Sequence, residues 1–133
     1  MAAIRGAEHR DRERVLDLWE RCELEPATGD EWEALLGAAR AVLVAEDGGQ
    51  IVGSAVATFD GWRAYIYHVA VAPEDRAKGL GRELMEAAEG YLREAGARRI
   101  FIEVHQENTG GLALAASVGY LPQGEIVLEK DVP

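Results

Sequence analysis

The sequence predicts a mixed α/β domain in which a mostly antiparallel sheet is flanked by about four helices. Short apolar runs rich in Val, Ile and Ala alternate with segments whose apolar residues recur every three or four positions, as in amphipathic helices. Asp and Gly separate three of these runs by only a few residues, which is typical of hairpins between antiparallel strands. We expect the 133 residues to form one domain over 1–133, because no linker or repeat interrupts them.

The first half of the chain is predicted to contain a strand, two helices and a three-stranded meander. Residues 3–6 suit a short strand, and the apolar positions of 9–22 fall on one face of a helix. Asp30 can cap a second, shorter helix. Asp-Gly turns then separate three predicted strands, at 41–45, 50–58 and 63–71.

The second half is predicted to form a long helix, a strand, another helix and one or two closing strands. In chain order these elements cover about 80–95, 99–104, 108–118 and 120–128. Gly96 suits the end of the long helix. Exposed strand edges near the C-terminus would allow a homodimer to form by edge pairing.

The charge balance disfavours some classes of partner. A formal net charge of -10 argues against general nucleic-acid binding, which normally requires a basic surface. It suits a cationic substrate such as an amine or a basic peptide, although much of this charge can serve solubility alone. No segment approaches membrane-spanning length and the N-terminus lacks an apolar leader, so we expect a cytoplasmic protein without a membrane partner.

The single cysteine carries little chemistry. Cys22 cannot form an intramolecular disulfide, and no cysteine cluster could hold a metal ion. Its helical spacing with Val15, Leu18 and Trp19 predicts a core residue rather than a nucleophile.

The turn Arg76-Ala-Lys-Gly79-Leu-Gly81, between a predicted strand and a helix, suggests a phosphate site. It lacks the Lys-Ser/Thr of a P-loop and the third glycine of a dinucleotide-binding loop. The first N–H groups of a helix have no intrahelical partner, and glycine lets a ligand approach the backbone closely. Arg76, Lys78 and Arg82 can add charge-assisted hydrogen bonds. The alternative is a loop whose glycines only satisfy turn geometry.

Two motifs give the chain a resemblance to the GNAT superfamily of acyl-CoA-dependent N-acyltransferases. Val69-Ala-Val-x-Pro followed by Arg76-x-x-Gly79-x-Gly81 resembles the R/Q-x-x-G-x-G/A signature of that family. Asn108 with Gly119-Tyr120 resembles its N…G-F/Y segment, and the order of elements agrees over roughly the whole chain. The resemblance implies acetyl-CoA as cosubstrate, no metal ion, and direct transfer of an acetyl group to a primary amine of a small molecule or peptide.

The resemblance also implies roles for individual residues. The backbone of Val69, Ala70 and Val71 would pair with the pantetheine arm of coenzyme A like an added strand, and the Val69 amide would stabilise the developing oxyanion. Asn108 would hydrogen-bond the pantetheine, where its alternative role is a helix N-cap. The amides expected to hold the pyrophosphate are those of Ala77, Lys78, Gly79, Leu80, Gly81 and Arg82, beside the Arg76 side chain.

Glu103 is the candidate general base, because an amine must lose its proton before it can attack a thioester. Strand alternation places Glu103 on the face of Phe101, where partial burial would strengthen it as a base, and an ordinary exposed strand glutamate is the alternative. Tyr67 shares a predicted face with Val69 and is a candidate acid or an aromatic wall of the core. His68, on the opposite face, is expected to pack behind the sheet.

The resemblance is incomplete at one position. Four residues before Gly119, where the family usually has a tyrosine that protonates the departing thiolate, this chain has Ala115. Ser117 lies about 200° further round a helix and cannot take its place. Water or Tyr67 could protonate the sulfur, or the thiolate could leave unprotonated. The substitution also motivates a second hypothesis, an acyl-CoA-binding module with little or no activity. A third is an unrelated binder of nucleotide phosphates.

Overall fold

Five strands form a single sheet in sequence order in the computed structural model, which describes residues 2–37 and 40–133. The strands are β1 (Ala3–Gly6), β2 (Arg40–Asp47), β3 (Gln50–Phe59), β4 (Ala64–Val71) and β5 (Ile100–Ile102). The first four are antiparallel, and β5 joins β4 in parallel. Parallel neighbours need a crossover connection, which a helix between β4 and β5 supplies. The predicted mixed α/β fold with a mostly antiparallel sheet is confirmed.

Four α-helices accompany the sheet in the described residues: α1 (Arg12–Arg21), α2 (Gly29–Leu35), α3 (Leu80–Glu94) and α4 (Thr109–Ser117). A 3₁₀ turn at His9–Asp11 leads into α1, and another at Pro73–Asp75 follows β4. The N-cap of α2 is Thr28 rather than the predicted Asp30, since the Thr28 hydroxyl accepts a hydrogen bond from the Glu31 N–H at 3.2 Å. The Glu31 carboxylate in turn accepts one from the Thr28 N–H, which completes a capping box.

The core lies on both faces of β3, and two neighbouring residues show how. Ser54 bonds Trp19 of α1, whereas a Cβ on Gly53 would stand 2.8 Å from Leu84 of α3. Successive strand residues face opposite sides, so α1 and α3 cover opposite faces of the sheet. Only glycine at position 53 lets Leu84 pack this closely on the strand, and Leu84 is fully buried.

The C-terminal segment departs from expectation. Residues 118–133 contain no helix or strand, so the predicted closing strands are wrong. Pro122 and Gly124, which has φ +79°, interrupt the apolar run on which that prediction depended. The apolar side chains of this segment are largely exposed: Leu121, Ile126, Val127, Leu128 and Val132. Within the described residues, no helix is long and apolar enough to cross a membrane.

Candidate active site

Strands β4 and β5 separate like the arms of a fork. They pair only where Ala64–Ile66 lies beside Ile100–Ile102. The Glu103 N–H then donates to the Ile66 carbonyl at 3.2 Å. Beyond that bond β4 continues to Val71, and no described strand pairs with this edge. The fork therefore leaves several polar groups of one β4 edge outside any ladder.

The residues whose backbone groups face the open edge can be identified. The Ala72 N–H donates to the Val52 carbonyl of β3 at 2.8 Å, so Ala72 turns toward β3. The backbone groups of successive residues point to opposite sides of a strand, which directs those of Val71, and likewise Val69, to the open side. In agreement, the Val71 carbonyl accepts a hydrogen bond from the Arg76 side chain at 3.0 Å.

A β-bulge lies at the divergence of the two strands. Tyr67 and Ala70 stand opposite Val56 and Ser54, so β4 has one residue more than β3 over this stretch. His68 has φ +48°, which is uncommon outside glycine. The buried Ser54 hydroxyl donates to the His68 carbonyl at 2.9 Å and accepts from the Trp19 indole N–H at 2.9 Å. These two hydrogen bonds fix the bulge from the α1 side.

The bulge corrects the predicted arrangement of side chains. Tyr67 and His68 were expected on opposite faces, but both line one cavity, because the extra residue interrupts the two-residue alternation. His68 is half-buried there, with its ring 4.7 Å from that of Trp19, and its Nε2 lies 2.9 Å from the Glu25 carbonyl. Positive φ at a histidine leaves no clear mark in a sequence, so pattern analysis missed it.

This cavity, of about 350 Å³, lies between β4 and the segment that joins α1 to α2. Its lining residues are Trp19, Glu25, Pro26, Ala27, Glu31, Ala34, Leu35, Tyr67 and His68. His68 of its lining directly precedes Val69 in β4, whose backbone groups face the fork. We call it the acceptor cavity below.

The turn at residues 76–81 supplies free backbone donors at the end of the open edge. Helix α3 begins after Gly79, which has φ +83° and contributes no side-chain cap. A Cβ on Gly79 would meet no atom within 4 Å, so the backbone there is accessible. Gly81 has another role, since a Cβ on it would stand 2.9 Å from Leu114 and push α4 away from α3.

The three predicted cations surround this turn with their side chains exposed. Arg76 bonds the Val71 carbonyl, Arg82 donates to the Ser117 hydroxyl at 3.1 Å, and the Lys78 ammonium lies 3.8 Å from Asp75. The sulfur of Cys22 lies 3.6 Å from both Val71 O and an Arg76 nitrogen. Cys22 is half-buried at this edge of the core rather than fully inside it.

Glu103 lies where the fork opens, but its side chain is exposed. The expected partial burial beside Phe101 is wrong, because β5 ends at Ile102 and strand alternation does not extend to Glu103. Tyr65 stacks on Phe101 with ring centroids 5.4 Å apart, so its ring packs between β4 and β5.

Asn108 caps α4, and Ala115 lies within it. The Asn108 side chain accepts a hydrogen bond from the Gly111 N–H at 2.9 Å, so it acts as the N-cap of the helix. Ala115 is 5% exposed, and its carbonyl accepts from the Tyr120 N–H. The Tyr120 hydroxyl donates to Glu89 at 2.7 Å. Burial, with this hydrogen bond, raises the pKa of Tyr120 above its usual range, so Tyr120 is poorly suited to replace the missing acid.

Comparisons with known proteins agree with this geometry. The model of the acetyltransferase (GNAT) family matches residues 5–120. The acetyltransferase SG1711 of Sodalis glossinidius is 32% identical over 129 residues, which cover 94% of this chain and 91% of that protein. The structure of a predicted acetyltransferase with acetyl-CoA from Clostridium acetobutylicum superposes with a TM-score of 0.82 at 16% identity, covering 98% of this chain and 96% of that one. An aminoglycoside acetyltransferase from an uncultured soil metagenomic sample, in complex with sisomicin, gives 0.81 at 20% identity, covering 99% and 96%. The open edge of β4, the uncapped glycine turn and these matches together show that the chain belongs to the GNAT family of acetyltransferases.

Proposed function

We propose that this protein transfers an acetyl group from acetyl-CoA directly to a primary amine of a small molecule or peptide. The observation that carries the proposal is the open edge of β4, which leads from the acceptor cavity to the uncapped N-terminus of α3. An extended arm on this edge would connect an amine in the cavity with a phosphate at the glycine turn. We expect this chemistry in the cytoplasm, and no metal ion takes part in it.

The residues present fit coenzyme A. The polar groups of Val69 and Val71 face the open side, where an amide-containing pantetheine arm can pair with them as an added strand. The amides from Ala77 to Arg82 and the positive end of the α3 dipole suit a pyrophosphate. Among the described residues, Arg76 and Arg82 bond neutral oxygens and Lys78 lies 3.8 Å from Asp75, so their charges can pair with phosphate. Asn108, as the cap of α4, would contact the pantetheine from the other arm of the fork.

The chemistry then follows from the position of each group. The acetyl thioester of the cosubstrate supplies the reactive carbonyl, and the Val69 amide stabilises the negative charge that develops on its oxygen. The amine nitrogen forms the new bond to the carbonyl carbon as the carbon–sulfur bond breaks, and the sulfur leaves with the electron pair as a thiolate. Glu103, exposed at the fork, takes one proton from the ammonium group through water before the attack, which leaves a neutral amine with a free electron pair. The nitrogen loses a second proton to water as the amide forms. Tyr67, in the cavity wall, or water protonates the thiolate, because Ala115 cannot and Tyr120 is bound to Glu89.

Two measurements made together test this function: affinity for CoA, and release of free thiol from acetyl-CoA in the presence of a panel of amines. We expect Glu103→Gln to lower turnover at neutral pH without weakening CoA binding. Glu107→Gln, which changes another exposed carboxylate four residues away, is the matched control and should leave turnover intact. An unchanged pH–rate profile in Glu103→Gln would remove Glu103 from the role of base.

The buried Ala115 supports one alternative, an acyl-CoA-binding module with little or no activity. Tight CoA binding without turnover on any amine would favour that module. Displacement of CoA by ATP at similar concentration would favour a general binder of nucleotide phosphates. The acetyltransferase proposal predicts that ATP competes poorly, because ATP has no arm to pair with the β4 edge.

We also propose that a second copy of the chain covers the C-terminal segment. Ile126 and Leu128 are 79% and 83% exposed, and no described strand pairs with the outer edge of β5. An unpaired strand edge and exposed apolar side chains each favour contact between chains. Light scattering after gel filtration should give the mass of a dimer, and Ile126→Glu with Leu128→Glu should give a monomer. A monomeric wild type would contradict the pairing.

A further inference from the structure

We propose that the acceptor is a small diamine or polyamine whose second cationic group binds Glu25 and Glu31 in the acceptor cavity. This inference rests on the proposed acetyl transfer and narrows its acceptor from any primary amine to one chemical class. Three properties of the cavity carry it: its position, its charge and its size.

The position of the cavity connects it to the reaction. Tyr67 and His68 form part of its wall, and the next residue is Val69, whose backbone faces the open side of the fork. The His68 ring bonds the Glu25 carbonyl at 2.9 Å, so the segment before α2 is held against β4. An amine that reaches the Val69 amide with one end therefore extends the rest of its chain along this segment.

The charge of the cavity favours a cation. Glu25 and Glu31 are the acidic residues of its lining, and the lining contains no lysine or arginine among the described residues. Arg12 comes near, but its guanidinium donates to the Ala27 carbonyl and is not part of the lining. One Glu31 oxygen accepts the Thr28 N–H, which orients the carboxylate. Both carboxylates are exposed, so their attraction will be moderate and sensitive to salt.

The size and walls of the cavity favour a short, flexible ligand. About 350 Å³ is near the lower end of the range for small-molecule sites. The lining also includes Leu35, Pro26 and Tyr67, whose apolar surfaces can pack on a methylene chain. A cationic group, a short apolar spacer and a second amine together describe a diamine or polyamine. A folded protein could insert only a terminal residue here.

The experiment compares 1,4-diaminobutane with n-butylamine, which has the same carbon chain but lacks the second cation. Binding of each to the CoA-loaded protein is measured by calorimetry, and thiol release from acetyl-CoA is measured for each as acceptor. We expect kcat/KM to be on the order of tenfold higher for the diamine, since exposed ion pairs contribute up to about 1 kcal/mol each.

Charge-removing variants locate the effect. Glu31→Gln keeps a side chain that suits the capping box, and the double variant Glu25→Gln with Glu31→Gln removes both charges. We expect the double variant to lose the preference for the diamine, so that the two amines become similar in kcat/KM, while its CoA affinity is unchanged. Glu23→Gln is the control, because Glu23 is exposed in the same segment and does not line this cavity.

The outcomes separate this inference from the proposed function. Two results would overturn the inference while the proposed acetyl transfer still stands. One is transfer to n-butylamine as fast as to the diamine, and the other is a preference for the diamine that survives in the double variant. Diamine binding that depends on both carboxylates, without transfer to any amine, would retain the cavity assignment and overturn the proposed reaction.

Discussion

Two charged regions of this molecule use the same chemical groups in opposite ways. The N-terminal ion cluster joins Arg5, Asp11, Arg14 and Glu46. The Asp11 carboxylate is fully buried, accepts from Arg5 at 2.8 and 3.0 Å and from the Glu8 N–H at 2.8 Å, and also contacts Arg14. Around the glycine turn, by contrast, no carboxylate of a described residue lies within normal hydrogen-bond distance of Arg76, Lys78 or Arg82.

The difference shows what each region can do. The ion cluster joins β1, the start of α1 and β2, because Arg5 bonds both Asp11 and Glu46. Its charges are paired and unavailable to a ligand. The cations of the glycine turn are exposed. Two of them bond neutral oxygens and Lys78 lies 3.8 Å from a carboxylate, so an anion can replace these contacts. We therefore expect substitutions in the cluster to change stability, and substitutions at the turn to change CoA affinity.

The largest expected effect is that of Asp11→Ala. Removing the carboxylate takes away the buried partner that Arg5 and Arg14 share and leaves these two partly buried guanidinium groups with Glu46 as their remaining carboxylate. The free energy of unfolding should fall by about 2–4 kcal/mol. Urea denaturation measures this change. The folded fraction should bind CoA with unchanged affinity. A loss below about 1 kcal/mol would contradict the structural role of the cluster.

A matched pair of glycine substitutions tests the other region. Gly79 and Gly49 have φ +83° and +81°, and neither would place a Cβ within 4 Å of another atom. Valine should therefore strain both backbones similarly. Only Gly79→Val should weaken CoA binding, by about a hundredfold, since two or more charge-assisted contacts to backbone amides would be lost. Equal CoA affinity in the two variants would place the pyrophosphate elsewhere.

The pH dependence of stability offers a smaller test of the cluster. Hydrogen bonds from Arg5 hold the pKa of Asp11 well below its usual range. The carboxylate therefore stabilises the fold above the pKa it has when unfolded, and this contribution is lost as the pH falls toward the folded value. Between pH 5 and pH 3, wild type should lose more unfolding free energy than Asp11→Asn. Parallel curves would contradict the assignment.

Much of the fold could be predicted because its signals are local. The apolar runs at β2, β3 and β4, the Asp-Gly turns and the stop at Gly96 are all signals that span only a few residues, and the structure has these elements close to the expected bounds. The prediction of closing strands failed because apolar composition does not specify a pairing partner. Residues 118–133 pair with no strand within the described chain.

The candidate site was less predictable because it depends on tertiary contacts. The glycine turn and its cations are visible in the sequence, and the structure brings them to the end of the open β4 edge. The bulge at His68 is fixed by Trp19 and Ser54, which are 35 residues apart in sequence, so no local pattern reports it. Glu103 is exposed because β5 ends at Ile102, where it diverges from β4, and this end depends on the pairing of the two strands rather than on a local sequence pattern.

The smallest expected effects concern single exposed charges. Arg82→Gln should weaken CoA binding about fivefold at low salt, and the difference from wild type should shrink as ionic strength rises. Glu74→Gln breaks the exposed ion pair with Arg21 and is expected to change neither the denaturation midpoint nor CoA affinity measurably. A difference at Arg82 that persists in high salt would indicate packing against Ser117 rather than charge.

The central claim is that the glycine turn binds the pyrophosphate of coenzyme A while the β4 edge holds its arm. Calorimetric titration of the wild type with acetyl-CoA and with S-acetylpantetheine, which lacks the nucleotide and its phosphates, tests it most directly. We predict that acetyl-CoA binds much more tightly than S-acetylpantetheine and that Gly79→Val removes most of this difference in affinity. Equal affinity for the two compounds, or no binding of acetyl-CoA, would contradict it.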